Sequence, residues 1–274
     1  MLSLPAAILL LVGVGLLGFA FRTVAHPIAQ KLALCCLLGI TFLIGWLPNG
    51  SIGTGLLAVS VWLLIPWLEI LFRIRHLRLP ISRILKDQRP PSREIFPDLD
   101  ALTSEVESHG FEHLEDTGWQ WEKQEQFFRL FHRPEDRLQA AICSIEQDNV
   151  AFFYLSVATR TTDGQLWTTW NYPFSHVLKP APHFHFHRAS AYEDFDEILA
   201  QHRSFLLKNR VESESILDLD MEALREAMQN DLRKQIDHNL HAGLLLKSDD
   251  DQVRYSWRGL FFIWVQFVRD VVRL

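Results

Sequence analysis

Between residues 1 and 72 the chain carries only three formally charged side chains, Arg22, Lys31 and Glu69. Most other positions there are apolar, and the stretch resolves into three runs, residues 4–21, 32–47 and 56–72. Each comes near the roughly 20 residues that a helix needs to cross about 30 Å of hydrocarbon while satisfying its own backbone polar groups. The middle run is short. It reaches spanning length by starting near Ala29, with Lys31 snorkelling to the interface and Trp46 anchoring the other end. Pro48-Asn49-Gly50-Ser51 supplies turn chemistry between the second and third runs and predicts a helical hairpin.

Basic residues accumulate on the cytoplasmic side of spanning helices, which gives an orientation. The first connector holds Arg22 and Lys31, the second holds no cation, and the third run is followed by Arg73, Arg75, Arg78, Arg83, Lys86, Arg89 and Arg93. This pattern predicts an N-terminus outside and a main domain in the cytoplasm, in a membrane of the bacterial inner type. Arg73, Arg75 and Arg78 then lie at the membrane interface, as does Trp264 near the other end of the chain. The first run makes a poor secretory signal, since no Lys or Arg precedes it. Glu69, four residues before Arg73, suits an interfacial ion pair, with an ion-pathway role as the alternative. Pro66 marks a kink. Cys35 and Cys36 sit in the second run and Cys143 alone in a predicted strand, a usage that fits a reducing compartment and apolar packing; a redox or metal pair at Cys35-Cys36 is the alternative.

Beyond residue 94 the balance changes to 18 Lys plus Arg against 30 Asp plus Glu. A domain of that sign is repelled by nucleic-acid phosphate and by anionic lipid, so the basic collar reads as the membrane-facing neck. Pro80, Pro90, Pro91 and Pro97 favour an extended linker there. With 48% hydrophobic residues and 3 Cys in 274, disordered, collagen-like and disulfide-rich classes are excluded. The expected organisation is transmembrane helices over residues 1–74, a basic Pro-rich linker over 75–97, a cytoplasmic α+β domain over 98–257 and an amphipathic membrane-associated helix over 258–274.

Within the domain, Leu99, Leu102, Val106 and His109 follow Asp98 at helical spacing, and Gly110 stops the helix. Strand-like pieces follow over residues 111–121, 125–133, 138–145, 150–161 and 165–171, with turns at Pro134-Glu135-Asp136, Asp148-Asn149 and Asp163-Gly164. The last reads as a type I′ hairpin, which needs positive φ at both central residues. The expected fold is an antiparallel sheet of about five strands flanked by helices. A helix over 191–209 carries the stripe Phe195, Ile198, Leu199, His202, Phe205 and Leu206, and a second over 220–241 is ended by Gly243. Residues 244–257 read as a hairpin around Ser248-Asp249-Asp250-Asp251, a solvated turn with too little ligand spacing for calcium. The final helix bears Gln266, Arg269, Asp270 and Arg273 on one face, which suits the membrane interface or packing on the membrane helices; a buried helix of the domain is the alternative.

Pro182-His183-Phe184-His185-Phe186-His187 is the conspicuous motif. Extended, it turns its imidazoles to one side and its phenylalanines to the other. His183, His185 and His187 are then candidate ligands of a divalent transition metal, with His238, His241 and Asp237 as further donors. Against this, the outer pair stands some 13 Å apart along a strand, and the alternative leaves the histidines in solvent with Phe184 and Phe186 in the core. His202, on an apolar helix face, reads as a satisfied core histidine. Trp119, Trp121, Trp167 and Trp170 either cover a sheet face or line a ligand pocket.

Only Gly110, Gly118, Gly164, Gly243 and Gly259 lie beyond Gly55, so neither phosphate-cradling glycine loop is present, and there is no nucleophile elbow, His-Glu-x-x-His or kinase signature. Helix 220–241, Ala242-Gly243-Leu244-Leu245-Leu246, the acidic turn and Gln252-Val253-Arg254-Tyr255-Ser256 resemble the recognition helix and wing of winged-helix DNA-binding domains over about 35 residues. That resemblance implies DNA contact, against which stand the acidic balance and the sparse phosphate contacts of residues 232–240, Arg233 and Lys234. The function expected is that of a non-enzymatic inner-membrane protein: an accessory or assembly subunit among other membrane-protein subunits, or a homo-oligomer, or a membrane-tethered binding module. The alternatives are a metal-dependent enzyme using the histidine strand and a tethered ligand sensor.

Overall fold

The computed structural model describes residues 3–24, 26–121, 124–147, 150–190, 193–249 and 251–273. The chain runs α1 (Leu4–Arg22), α2 (Pro27–Trp46), α3 (Ile52–Phe72), β1 (Leu79–Pro80), β2 (Lys86–Asp87), α4 (Leu99–Ser108), β3 (Glu112–Trp121), β4 (Gln124–Arg133) and β5 (Leu138–Gln147). It continues through β6 (Val150–Arg160), β7 (Leu166–Trp170), β8 (Phe184–Arg188), α5 (Phe195–Lys208), α6 (Met221–His241), β9 (Leu245–Asp249), β10 (Gln252–Tyr255) and α7 (Trp257–Arg273). Two compact units result: Met1–Leu77 with Ser175–Val177 and Arg254–Leu274, and Arg78–Phe174 with Leu178–Val253.

In the first unit α1, α2 and α3 are each long and apolar enough to cross a membrane. Small residues let them approach. A Cβ added at Gly45 would stand 2.6 Å from the Thr54 carbonyl oxygen, and one at Gly18 would stand 2.9 Å from Cys36 Cβ. Cys36 is thereby a packing group between α1 and α2. Trp62 Nε1 donates to Thr41 Oγ1 across 3.0 Å, a polar tie between α2 and α3. The connector closes as expected, with Gly50 at φ +63° donating its N–H to the Trp46 carbonyl. α7 buries Leu260 and Ile263. Its Trp264 stacks on Trp67 with centroids 6.1 Å apart and donates Nε1–H to the Leu63 carbonyl at 2.8 Å. Pro66, inside α3, has no N–H to give the Trp62 carbonyl four residues earlier, so the α3 backbone is loosened one turn before it. Ser175 also belongs to this unit, donating from its N–H and hydroxyl to the Asp270 carboxylate.

The second unit is built on a seven-stranded sheet of order β2-β3-β4-β5-β6-β7-β8, antiparallel except for the parallel pair β7–β8. The expectation of about five antiparallel strands is corrected at both edges. β2 is two residues long and hidden in the basic collar, where the prolines signal only extension; β8 is the His/Phe motif, which reaches its partner by a crossover rather than a turn. The collar is extended as its prolines require, yet it is built into the domain, with Leu79, Leu85 and Phe96 buried. A separate three-stranded sheet, β1-β10-β9, joins the collar to the hairpin after α6.

Alternation along β4 gives the seven-stranded sheet two apolar faces. Phe127 and Phe131 join Ile142, Leu155, Val157 and the α5 residues Phe195 and Ile198, while Phe128 and Leu130 join Trp119, Cys143, Tyr154 and Leu224 of α6. Ion pairs pin the outer elements: Arg129 holds Asp116 bidentately at 2.8 and 2.7 Å, and Arg225 of α6 bonds Glu115 of β3 and Asp87 of β2.

Two local readings change. α5 begins at Phe195, capped by Asp194, whose carboxylate accepts the Glu197 N–H at 3.0 Å. At Asp163-Gly164 only glycine has positive φ, so the turn is not type I′; Asp163 instead accepts bonds from the Thr161 hydroxyl and the Gln165 N–H. The Asp148-Asn149 turn, Ala191 and Asp250 lie outside the described residues.

Candidate functional site

The histidine motif divides on folding. His185 Nε2 lies 2.9 Å from Gln165 Oε1 and its ring stacks on Trp167 at 3.9 Å. His187 Nε2 lies 3.1 Å from Gln201 Oε1 on α5. His183 precedes β8, beside a segment docked on α6 by Gln235 and Asn239, which bond the backbone of Lys179 and Ala181. Burial first, then Lys234 nearby, holds the His183 imidazole below its ordinary range. Among the described residues the buried Nε2 atoms of His183 and His238 have no hydrogen-bond partner. His241 instead bonds the Asp237 carbonyl through Nδ1. Among the described residues no group of three or more His, Cys, Asp or Glu side chains is placed to hold a metal ion.

Trp119, Trp121 and Trp170 belong to one apolar face of the sheet, and Trp167 packs on the other. Trp119 lies under the Arg83 guanidinium at 4.2 Å, Trp121 donates to the Arg78 carbonyl, Trp167 stacks on His185 and Trp170 on Phe186. In the core, His202 sits between Thr159 and Thr169 with its ring nitrogens 2.9 and 3.0 Å from their hydroxyls, and burial pulls its pKa down to about 3. Cys143 is fully inside, its thiol pushed up to about 12 by desolvation, so it is no thiolate nucleophile at neutral pH. Glu69 pairs with Arg73 at 3.2 Å, and both side chains are about half exposed.

A cavity that combines an apolar floor with charge lies where α4, β6 and the start of α5 meet. It encloses about 250 Å³, floored by Leu102, Phe153 and Leu155 and rimmed by Glu105, Glu193 and Asp194. Each carboxylate is held. Glu105 Oε1 accepts the Phe195 N–H at 2.9 Å, Asp194 caps the same helix, and Glu193 Oε2 accepts from Gln201 Nε2 at 2.7 Å. The α5 dipole favours anions at this end. Asn171 closes the floor by accepting the Leu155 N–H at 2.7 Å. Among the described residues none of the three carboxylates forms an ion pair. An apolar floor under an anionic rim has the chemistry of a seat for an ammonium or guanidinium group on an apolar stem.

Sequence reasoning missed this cleft because its rim comes from positions some 90 residues apart, Glu105 and Asp194, and no spacing rule links them. Asp194 ahead of Glu197 carried the only local signal, as a helix cap. Compared with known proteins, the chain matches no protein-family model, no curated protein and no solved structure.

Proposed function

We propose that this protein is a non-enzymatic, membrane-anchored binding module, an accessory subunit of a larger membrane complex, whose acidic cleft takes a positively charged group of its partner. The observation that carries the reading is the set of three carboxylates around an apolar floor with no ion pair of their own among the described residues. The polypeptide around that cleft follows α3, one of three helices long and apolar enough to cross a membrane, and leads into the amphipathic α7, so a partner seated there is recruited to the membrane. In this reading the membrane is of the bacterial inner type, the N-terminus is outside and the cleft faces the cytoplasm, as the cation distribution directs.

The test is to extract the tagged full chain from its host membranes in mild detergent, measure the particle mass and identify what co-purifies in fixed ratio. The expected result is a stoichiometric partner whose retention falls with added salt and is lost in Glu193→Lys. A lone protomer, or a partner indifferent to Glu193→Lys, overturns the reading.

A further inference from the structure

α7 presents two faces of different chemistry. Leu260 and Ile263 are buried, while Trp257, Arg258, Phe261 and Arg269 are exposed. Trp257 and Phe261, one turn apart, share one side of the helix, with Arg258 next to Trp257 in the chain and Arg269 towards the far end of α7. Trp257 is 62% exposed and Phe261 54%, a large apolar area that water does not favour. The Arg75 guanidinium stands 5.0 Å from the Trp257 ring centroid. Phe72, the last residue of α3, is 79% exposed and lies three residues before Arg75 in the chain. From residue 254 to 269 there are three arginines and no carboxylate.

Indole rings favour the headgroup level of a bilayer, phenylalanine the acyl boundary beneath it, and guanidinium groups bind phosphate bidentately. We propose that the Trp257 end of α7 is a seat for the headgroup of an anionic phospholipid, with Arg75 and Arg258 on its phosphate and Phe261 against its chains. The charge selects this occupant: arginines flanking exposed aromatics complement an anionic lipid and leave a zwitterionic one without a net partner. The seat rests on the membrane-anchored reading and is independent of the acidic cleft.

The test adds phosphatidylglycerol or phosphatidylcholine to the full-length protein in mild detergent and counts retained lipid by native mass spectrometry. Phosphatidylglycerol is expected to stay bound in preference, and each of Arg75→Gln and Arg258→Gln to lower its retention roughly fivefold, while Lys208→Gln at the end of α5 leaves it unchanged. Equal retention of the two lipids, or retention indifferent to both arginines, overturns the seat. So does a protein partner that covers this side of the helix and is released by Trp257→Ala. Should the arginine variants fail to give a monodisperse particle, a salt titration of the unaltered protein decides, and phosphatidylglycerol retention insensitive to salt overturns the seat. Carbonate washing of membranes separates the two readings: a chain released by carbonate fails the membrane reading, and a chain retained without lipid preference fails the seat alone.

Discussion

The imidazole of His202 stands 2.9 Å from the hydroxyl of Thr159, with both groups fully buried between α5 and the sheet. A neutral ring completes the arrangement, one nitrogen donating and the other accepting, with Thr169 as the second partner at 3.0 Å. Protonation would remove the acceptor and strand a charge in the core. The folded pKa, about 3, lies below the ordinary 6.5, so the unfolded chain binds the extra proton between those values and stability falls as pH drops through that window. The expected slope from this group is about 1 kcal/mol per pH unit below pH 6. Denaturation of the full chain in detergent between pH 4 and 7 measures it. His202→Gln, which cannot gain a proton, should flatten the curve while lowering stability at pH 7 by about 1–3 kcal/mol.

Gly45 and Gly13 predict opposite outcomes for one substitution. Alanine at Gly45 forces a Cβ to 2.6 Å from the Thr54 carbonyl oxygen, whereas nothing lies within 4 Å of a Cβ at Gly13. Gly45→Ala should loosen the α2–α3 pair by about 1–3 kcal/mol, and Gly13→Ala should be neutral or slightly stabilising through helix propensity. Thermal unfolding of the two variants in the same detergent separates them, and equal behaviour would contradict the packing described.

Arg225 joins three elements by bonding Glu115 of β3 and Asp87 of β2 from its place on α6. Glu115 is 8% exposed, so Arg225→Ala leaves a mostly buried carboxylate unpaired, at a cost of about 2–4 kcal/mol. Because β2 has only two residues, the loss should also free the collar, read as faster trypsin cleavage between residues 83 and 93. Adding Glu115→Gln should recover part of the stability. No recovery would place the cost elsewhere.

His185 and His187 each face a glutamine amide rather than one another. Replacing both with glutamine is expected to leave the metal content of the purified full chain unchanged by plasma emission analysis. A stoichiometric transition metal lost in that variant would instead restore the metal-dependent enzyme as the leading reading.

The sequence by itself determined the features whose cause is local. Three charge-poor apolar runs become three helices of spanning length, Gly50, Gly110 and Gly243 fall at positive-φ stops, and the periods of residues 99–109, 195–206 and 220–241 produce helices because periodicity is a property of neighbours along the chain. The tertiary structure decided what depends on distant partners. It recruited Lys86–Asp87 and Phe184–Arg188 as edge strands, made β7–β8 parallel, gave His185 and His187 separate glutamines, and gathered Glu105, Glu193 and Asp194 around one cleft. Strand pairing and side-chain convergence are set by which surfaces bury together, and residues some 90 positions apart exert no mutual influence until the sheet and α5 have closed on each other.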